Sequence, residues 1–247
     1  MLGHPPLQNE RRLMMAWPRF GAIALLTAFL GGCASGPVTS VNDPYEATNR
    51  RISAFNDEVD ASILRPAAVN YKKSAPEWVK DGVDHFFGNL RDAWSTVNNG
   101  LQAKPMEAAE TGLRVAVNTV FGFFGVFDVA TLAGIERHTA DFGQTLGYWG
   151  VEPGPYVVLP LLGPSTVRDT AGWVVDNRYD LWRTEIESTG LYYGGSALRL
   201  VDKRAGFVGM DKQLDQMALD KYSFTRDAYL QRRRAATRRQ SPEDGDD

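Results

Sequence analysis

The chain has 247 residues and a formal net charge of −3. That balance excludes nucleic acid as a general partner, because phosphate backbones are met by a basic face. One cysteine and three histidines leave no intrachain disulfide, no thiolate metal cluster and little material for a zinc site or any other resident cofactor.

Residues 1–32 read as a secretory signal peptide, with basic Arg11, Arg12 and Arg19, the uncharged stretch from Phe20 to Leu30, and the small pair Gly31-Gly32. The apolar run falls far short of the roughly 20 residues of a spanning helix. Cys33 directly after Leu30-Gly31-Gly32 marks a bacterial lipoprotein, in which this thiol is diacylated and becomes the new N-terminus. Met14 or Met15 as a start gives a leader of more usual length. Ala34 stands where an aspartate commonly signals inner-membrane retention, which favours delivery to the periplasmic face of the outer membrane. Each buried CH₂ adds about 0.8 kcal/mol, so several acyl chains hold the protein on its membrane where one would not. Removing residues 1–32 leaves 215 of the 247, and the loss of three arginines and Glu10 moves the charge from −3 to −5.

Residues 33–42 lack any apolar period and read as a lipidated, flexible tether. Folded sequence begins near Asp43-Pro44-Tyr45-Glu46. Ile52, Phe55 and Val59 predict a helix from Tyr45 to Leu64, ended by Arg65-Pro66 because the residue before proline is pushed out of the α region. Pro76 opens the next helix, where Val79, Val83, Phe86, Phe87 and Leu90 form an apolar stripe. Lys104-Pro105 starts another, with Ala109, Leu113, Ala116, Val117 and Val120 on one side.

From Val115 to Phe127 there is no charge, and Phe121-Gly122-Phe123-Phe124-Gly125-Val126-Phe127 is apolar all round. As one helix these residues span about 20 Å, less than the roughly 30 Å hydrocarbon core of a bilayer. Insertion into one leaflet, a hairpin at Gly122 or Gly125, and a buried core helix all fit the pattern. On a chain tethered by lipid, membrane contact is the favoured reading. Residues 141–164 are too rich in glycine and proline for a long helix and read as a structured, aromatic-rich loop, with Val157-Val158-Leu159 as a brief edge strand before Pro160. Ser165-Thr166 caps a helix running through Trp173, Val174 and Trp182. Thr189 to Leu219 is helical in composition, interrupted by Gly194-Gly195 and Gly206. A last helix spans about Ser223 to Arg234. Residues 235–247 form a disordered charged tail, and the arginines at 232–234 read as solvated or as contacts to anionic head groups.

Catalytic signatures are missing. Asp141-Phe142-Gly143 has no kinase partners around it, and Gly194-Gly195-Ser196-Ala197-Leu198 lacks the closing glycine of a nucleophile elbow. A triad would depend on His85 or His138, each of which reads as structural. The chain is expected not to be an enzyme.

A set of ordered motifs carries a resemblance. They are Asp43-Pro44-Tyr45-Glu46 with Asn49-Arg50, Arg65-Pro66, Phe86-Phe87-Gly88-Asn89-Leu90, and Val97-Asn98 with Leu101-Gln102. Asn118-Thr119 follows with Gly122 and Gly125, then Asp141-Phe142-Gly143-Gln144-Thr145-Leu146-Gly147. Gly154-Pro155-Tyr156 leads through Leu159-Pro160 to Gly163-Pro164-Ser165 and Arg168-Asp169, and the series ends at Asp220-Lys221-Tyr222 with Arg226-Asp227-Ala228-Tyr229. Together with the leader they resemble the MlaA (VacJ) family of outer-membrane lipoproteins over about Asp43 to Arg234, although proline usually fills the place of Lys221.

The resemblance implies a mostly α, single-domain fold at residues 43–234, with amphipathic helices arranged as a membrane-embedded ring around a central channel and joined by Gly/Pro-rich loops. It implies removal of phospholipids mislocalised to the outer leaflet, and their transfer to a periplasmic carrier of the MlaC type for return to the inner membrane. Trimeric porins are the implied neighbours. Phe121, Phe123, Phe124 and Phe127 would hold the leaflet or line the channel, or pack as ordinary core. Tyr148, Trp149 and Tyr156 suit head-group level. Gly122 and Gly125 would act as hinges whose replacement alters lipid traffic without unfolding. The alternative function is a structural, porin-associated lipoprotein that moves no lipid.

Overall fold

The computed structural model describes residues 43–210 and 220–237. The signal peptide, Cys33, the tether up to residue 42 and the tail beyond 237 lie outside the described residues. The chain is mostly helical. Its helices are α1 (Glu46–Val59), α2 (Arg65–Ser74), α3 (Glu77–Leu101), α4 (Pro105–Val120), α5 (Val129–Leu132), α6 (Phe142–Tyr148), α7 (Val167–Arg178), α8 (Leu181–Glu185), α9 (Thr189–Gly206) and α10 (Lys221–Thr237). A two-stranded antiparallel hairpin, β1 (Tyr156–Leu159) and β2 (Gly163–Thr166), pairs Tyr156 with Thr166 and Leu159 with Gly163.

The expected break at Arg65-Pro66 does not occur. A π-helical turn over Asp60–Leu64 joins α1 to α2, and the Arg65 N–H donates to Asp60 O, five residues back. Pro66 is the second residue of α2, directly after the π turn, whose wider i→i−5 bonding interrupts the α-helical ladder at the point where the proline supplies no N–H. Gly194-Gly195 does not interrupt α9 either. Gly195 is where the helix meets the indole of Trp182, and a Cβ there would lie 2.0 Å from the ring. Trp182 belongs to the short helix α8, not to α7, which stops at Arg178. Its ring stands edge-on to Phe87 at 5.2 Å and to Phe86 at 6.1 Å, so one aromatic wedge joins α3, α8 and α9.

The hairpin edge is closed by side chains. Asn49 Nδ2 donates to Tyr156 O (3.0 Å) while its Oδ1 accepts from Val158 N (2.9 Å). Two turns on, Asn56 Nδ2 donates to Leu159 O (3.0 Å) and its Oδ1 accepts from Leu161 N (2.7 Å). Two amides on one face of α1 thus replace the missing third strand, which answers the open-edge problem of a two-stranded sheet. Beneath them Tyr156, Val158 and Tyr222 form a small apolar core with Ile52, Tyr229 and Leu230. Tyr156 is only 1% exposed, so its expected place at head-group level is corrected to the core.

The 141–164 stretch is more ordered than a loop. Asp141 caps α6 by accepting from Gln144 N (2.8 Å). Gly143 and Gly172 let α6 and α7 touch, since a Cβ on Gly172 would lie 2.4 Å from Gly143 N. Arg233 on α10 then closes the group, with Nη1 and Nη2 on Asp141 (2.5 and 2.9 Å) and Nε and Nη2 on Asp169 (2.9 and 2.8 Å). Tyr229 Oη adds a 2.8 Å bond to Asp169. Arg233 is therefore neither solvated nor at a membrane surface, and the helix it sits on runs on to Thr237, past the expected limit at Arg234.

Candidate functional site

α4 has its polarity reversed. Met106, Ala109, Leu113, Ala116 and Val120, at spacings of three and four, are exposed, while the opposite face buries Thr111, Arg114 and Asn118. The neighbouring α3 likewise buries Asn89, Asp92, Ser95, Asn98 and Asn99, and Gln102 follows just past its end. A buried polar face under an exposed apolar one is the informative departure from globular burial.

Many of these buried polar side chains find their partners in the segment between α5 and α6 and in α6 itself, while Asn89 Oδ1 and Arg114 Nε have none among the described residues. Ser95 Oγ donates to Ala140 O (3.0 Å), and Asn99 Nδ2 and Thr111 Oγ1 both donate to His138 O (2.9 and 3.3 Å). Arg137 Nε donates to Asp92 (2.9 Å). Thr145 Oγ1 donates to Asn98 (2.8 Å) and accepts from Gln102 (3.1 Å). An extended strip of backbone is thereby threaded along the polar side of the α3–α4 pair.

At the end of α4 the uncharged segment leaves the helix. Gly125 N donates to Asn118 O (2.8 Å), Phe124 N to Thr119 O (3.0 Å) and Phe127 N to Gly122 O (2.8 Å). Phe123 and Phe124 sit at φ 51° and 59°, and Gly125 at φ 89°. Left-handed backbone at two phenylalanines costs about 1–2 kcal/mol each. Val120, Phe121, Phe123, Phe124 and Phe127 are each 61–74% exposed. Of the readings the sequence left open, the buried core helix is excluded: the segment is a tight turn with four exposed phenylalanines. Gly122 and Gly125 are not free hinges. A Cβ on Gly122 would lie 2.1 Å from Phe127 O, and one on Gly125 would lie 2.5 Å from Asn89 Cβ. Their replacement strains the turn itself, contrary to the expectation that it leaves the local fold intact.

A polar clamp holds the turn from below. Asp128 accepts from Arg114 Nη2 (2.9 and 3.0 Å), Asn118 Nδ2 (3.0 Å) and Thr131 N (3.1 Å). Arg114 also donates to Ile135 O. Burial pushes the Asp128 carboxyl up, but the hydrogen bonds from Thr131 and Asn118 and the Arg114 charge outweigh it and hold it at about 2. A depressed carboxylate stabilises the fold above its unfolded value near 4 and loses that contribution as pH falls towards 2, about 2 kcal/mol in all. Urea unfolding of the detergent-solubilised protein is expected to show wild type more stable than Asp128→Asn at pH 6, with the gap closing at the acid end. A gap that stays constant with pH removes this assignment. The clamp was missed in the sequence, although the polar residues 111, 114 and 118 recur at helical spacing opposite the apolar stripe.

Trp149 and Tyr148 lie at the far end of the same pair of helices. Trp149 Nε1 donates to Leu101 O (2.8 Å) with its ring 60% exposed, and Lys104 Nζ stands 5.6 Å over the half-buried Tyr148 ring. The serine and histidines considered for hydrolysis are not assembled. Ser196 Oγ donates to Tyr192 O (2.7 Å), His85 Nδ1 lies 3.3 Å from Val126 O, and His138 Nε2 lies 2.6 Å from Glu110. Among the described residues no group of His, Cys, Asp and Glu is placed to hold a metal ion, and no helix is long and apolar enough to cross a membrane.

The model of the family described as MlaA lipoprotein matches residues 41–236. The chain is 36% identical over 222 residues to the intermembrane phospholipid transport system lipoprotein MlaA of Escherichia coli (strain K12), covering 87% of this chain and 86% of that one. It is 34% identical over 218 residues to the protein of the same name from Haemophilus influenzae, covering 84% and 86%. An uncharacterized protein of Rickettsia typhi is 40% identical over 147 residues, a match spanning 60% of this chain and 59% of that relative. A solved structure from work on the structural basis for maintenance of bacterial outer membrane lipid asymmetry superposes with a TM-score of 0.70 and 33% identity, covering 79% of this chain and 99% of the other.

Proposed function

The chain belongs to the MlaA lipoprotein family, and from that premise we propose that it is a phospholipid-transport lipoprotein that maintains the lipid asymmetry of an outer membrane. The observation that carries the reading is the reversed α4 with its phenylalanine turn. Exposed Met106, Leu113, Val120, Phe121, Phe123 and Phe124 form a continuous apolar exterior, and the polar faces of α3 and α4 point inward. In lipid this arrangement is the favourable one, since acyl chains meet the apolar side while the inward polar side chains of α3 and α4 are turned away from them, most of them onto protein partners.

Acylated Cys33 delivers the protein to the periplasmic side of the outer membrane, and the folded body then settles in the inner leaflet. The helices enclose an amphipathic channel through which stray outer-leaflet phospholipids descend. A periplasmic carrier of the MlaC type receives them, and a trimeric porin is the neighbour. The protein binds and guides without covalent chemistry.

Phospholipid in the outer leaflet is the direct measurement. Cells lacking the gene are expected to accumulate it, and restoring the gene is expected to remove it. Unchanged outer-leaflet phospholipid on deletion, with no phospholipid in the purified protein, overturns the transport reading and favours the scaffold.

A further inference from the structure

A small, largely enclosed cleft lies where the end of α10 meets the start of α7. Its volume is about 90 Å³, and three arginines, Arg168, Arg233 and Arg234, line it together with Thr166, Thr237 and Leu230. Leu230, Arg233, Arg234 and Thr237 recur at spacings of three and four, so one face of α10 supplies them. Thr166 and Arg168, 0% and 7% exposed, come from the turn into α7. The space suits one tetrahedral oxyanion. It is well below the roughly 300–1,000 Å³ of a site for a drug-sized ligand, so no acyl chain fits.

The guanidiniums are brought together by one carboxylate oxygen. Asp169 Oδ1 accepts from Arg168 Nε and Nη2 (3.0 Å each) and from Arg233 Nη2 (2.8 Å). Gly147, near the end of α6, closes the same place, since a Cβ there would lie 2.6 Å from Arg168 Nη1 and 2.7 Å from Thr237 Cγ2.

Part of this donor capacity is unused. Arg233 makes four contacts to Asp141 and Asp169. Arg168 adds one bond from Nη1 to Val151 O (3.2 Å), which leaves an N–H on each of its two terminal nitrogens. Arg234 is exposed and has no ion pair among the described residues. Asp141 and Asp169 offset two of the three positive charges, yet neither belongs to the wall, and none of the described residues that line the cleft is acidic. The first N–H groups of α7 are already taken: Val167 N by Pro155 O (3.2 Å), Arg168 N by Pro153 O (3.1 Å) and Asp169 N by Thr166 Oγ1 (3.1 Å). The donors that remain are therefore guanidinium N–H groups, whose fork geometry matches an oxyanion.

We propose that this cleft is a phosphate-binding subsite, in which Arg234 and the unused N–H groups of Arg168 donate to a phosphate group while Arg233 holds the wall in place. The ligand is a phosphate that enters end-on, either inorganic phosphate or the phosphomonoester of a lipid headgroup. A diester fits an enclosed cleft less well, because it must pass a chain out on two sides. The site goes beyond the transport reading and does not depend on it.

The full acylated chain, purified in non-ionic detergent, is titrated with inorganic phosphate and followed by calorimetry and phosphorus NMR. Wild type is expected to show saturable, one-to-one binding. Arg234→Gln is expected to weaken it by at least about tenfold, the effect of losing a charge-assisted hydrogen bond. Arg234→Lys keeps the charge without the fork and is expected to lose less. Arg183→Gln, which removes an exposed charge of α8 outside the cleft, is expected to bind as wild type does. Urea unfolding of each variant checks that it is folded. Mixed micelles of equimolar phosphatidic acid and phosphatidylcholine separate the two sources. Enrichment of phosphatidic acid on wild type, lost in Arg234→Gln, assigns the site to a lipid headgroup, and phosphate binding without that enrichment assigns it to free phosphate. Wild-type affinity in folded Arg234→Gln, an equal loss in Arg183→Gln, or no saturable binding of phosphate or phosphatidic acid by wild type overturns the subsite and leaves the transport reading standing.

Discussion

Arg233→Ala is expected to lower the unfolding free energy by about 3–5 kcal/mol, the range for removing one partner of a buried charge network. Asp169 is 5% exposed at its side chain and loses two of its charge-assisted bonds. It keeps Arg168 and Tyr229, which places the loss towards the lower end of the range. The cost is spread over three helices, because the same guanidinium closes α10 onto the start of α6 and the start of α7. Two features separate this lock from generic packing. Arg233→Lys is expected to recover only part of the loss, since an ammonium cannot fork onto two carboxylates. Burial alone would raise the Asp169 carboxyl, but Arg233 and Tyr229 outweigh it and hold it below the ordinary range. The stabilisation is therefore present at neutral pH and disappears as pH falls through the carboxylate range. Urea unfolding in detergent measures all three effects. A change of less than about 0.5 kcal/mol for Arg233→Ala, the ordinary surface value, rejects the lock.

Phe123→Asp/Phe124→Asp is expected to abolish function while leaving the fold intact. A carboxylate at the centre of a bilayer costs about 2.5–3.5 kcal/mol on insertion scales, so two in one turn oppose seating of the body in the leaflet even at shallower depth. The fold should tolerate the change for a backbone reason. Both positions are left-handed, a conformation that aspartate accepts more readily than phenylalanine, and both side chains leave the protein surface without core contacts. Thermal unfolding in detergent should match or exceed wild type, and outer-leaflet phospholipid should rise to the level of the gene deletion. Phe123→Asn/Phe124→Asn should give an intermediate phenotype, because it removes apolar area without adding charge. Wild-type outer-leaflet phospholipid in a folded aspartate variant ends the membrane-contact role of this turn.

Several parts of the fold were legible because they depend on neighbouring residues. Pro76, Lys104-Pro105 and Thr166 mark helix starts through proline geometry and a side-chain cap, and each helix begins there. Other marks failed where a distant partner or a local adjustment intervened. Pro66 signals a stop, yet one π-helical turn carries the helix past it. Tyr156 has the ring of an interfacial residue, yet Asn49, 107 positions earlier, draws its strand into the core. The arginine run at 232–234 has the composition of a solvated tail, and only Asp141 and Asp169, 92 and 64 residues away, make Arg233 part of the interior.

The sequence by itself determined the helical periods, the uncharged segment at 115–127 and, through its ordered motifs, the family. It determined that α4 has an apolar and a polar face. Tertiary structure alone decided which of the two points outward, because a helical period is unchanged when inside and outside are exchanged. That choice is made by long-range pairing, with the backbone of residues 135–140 and the Asp128 carboxylate satisfying the polar faces of α3 and α4. The apolar stripe and the four phenylalanines are then left to whatever surrounds the protein.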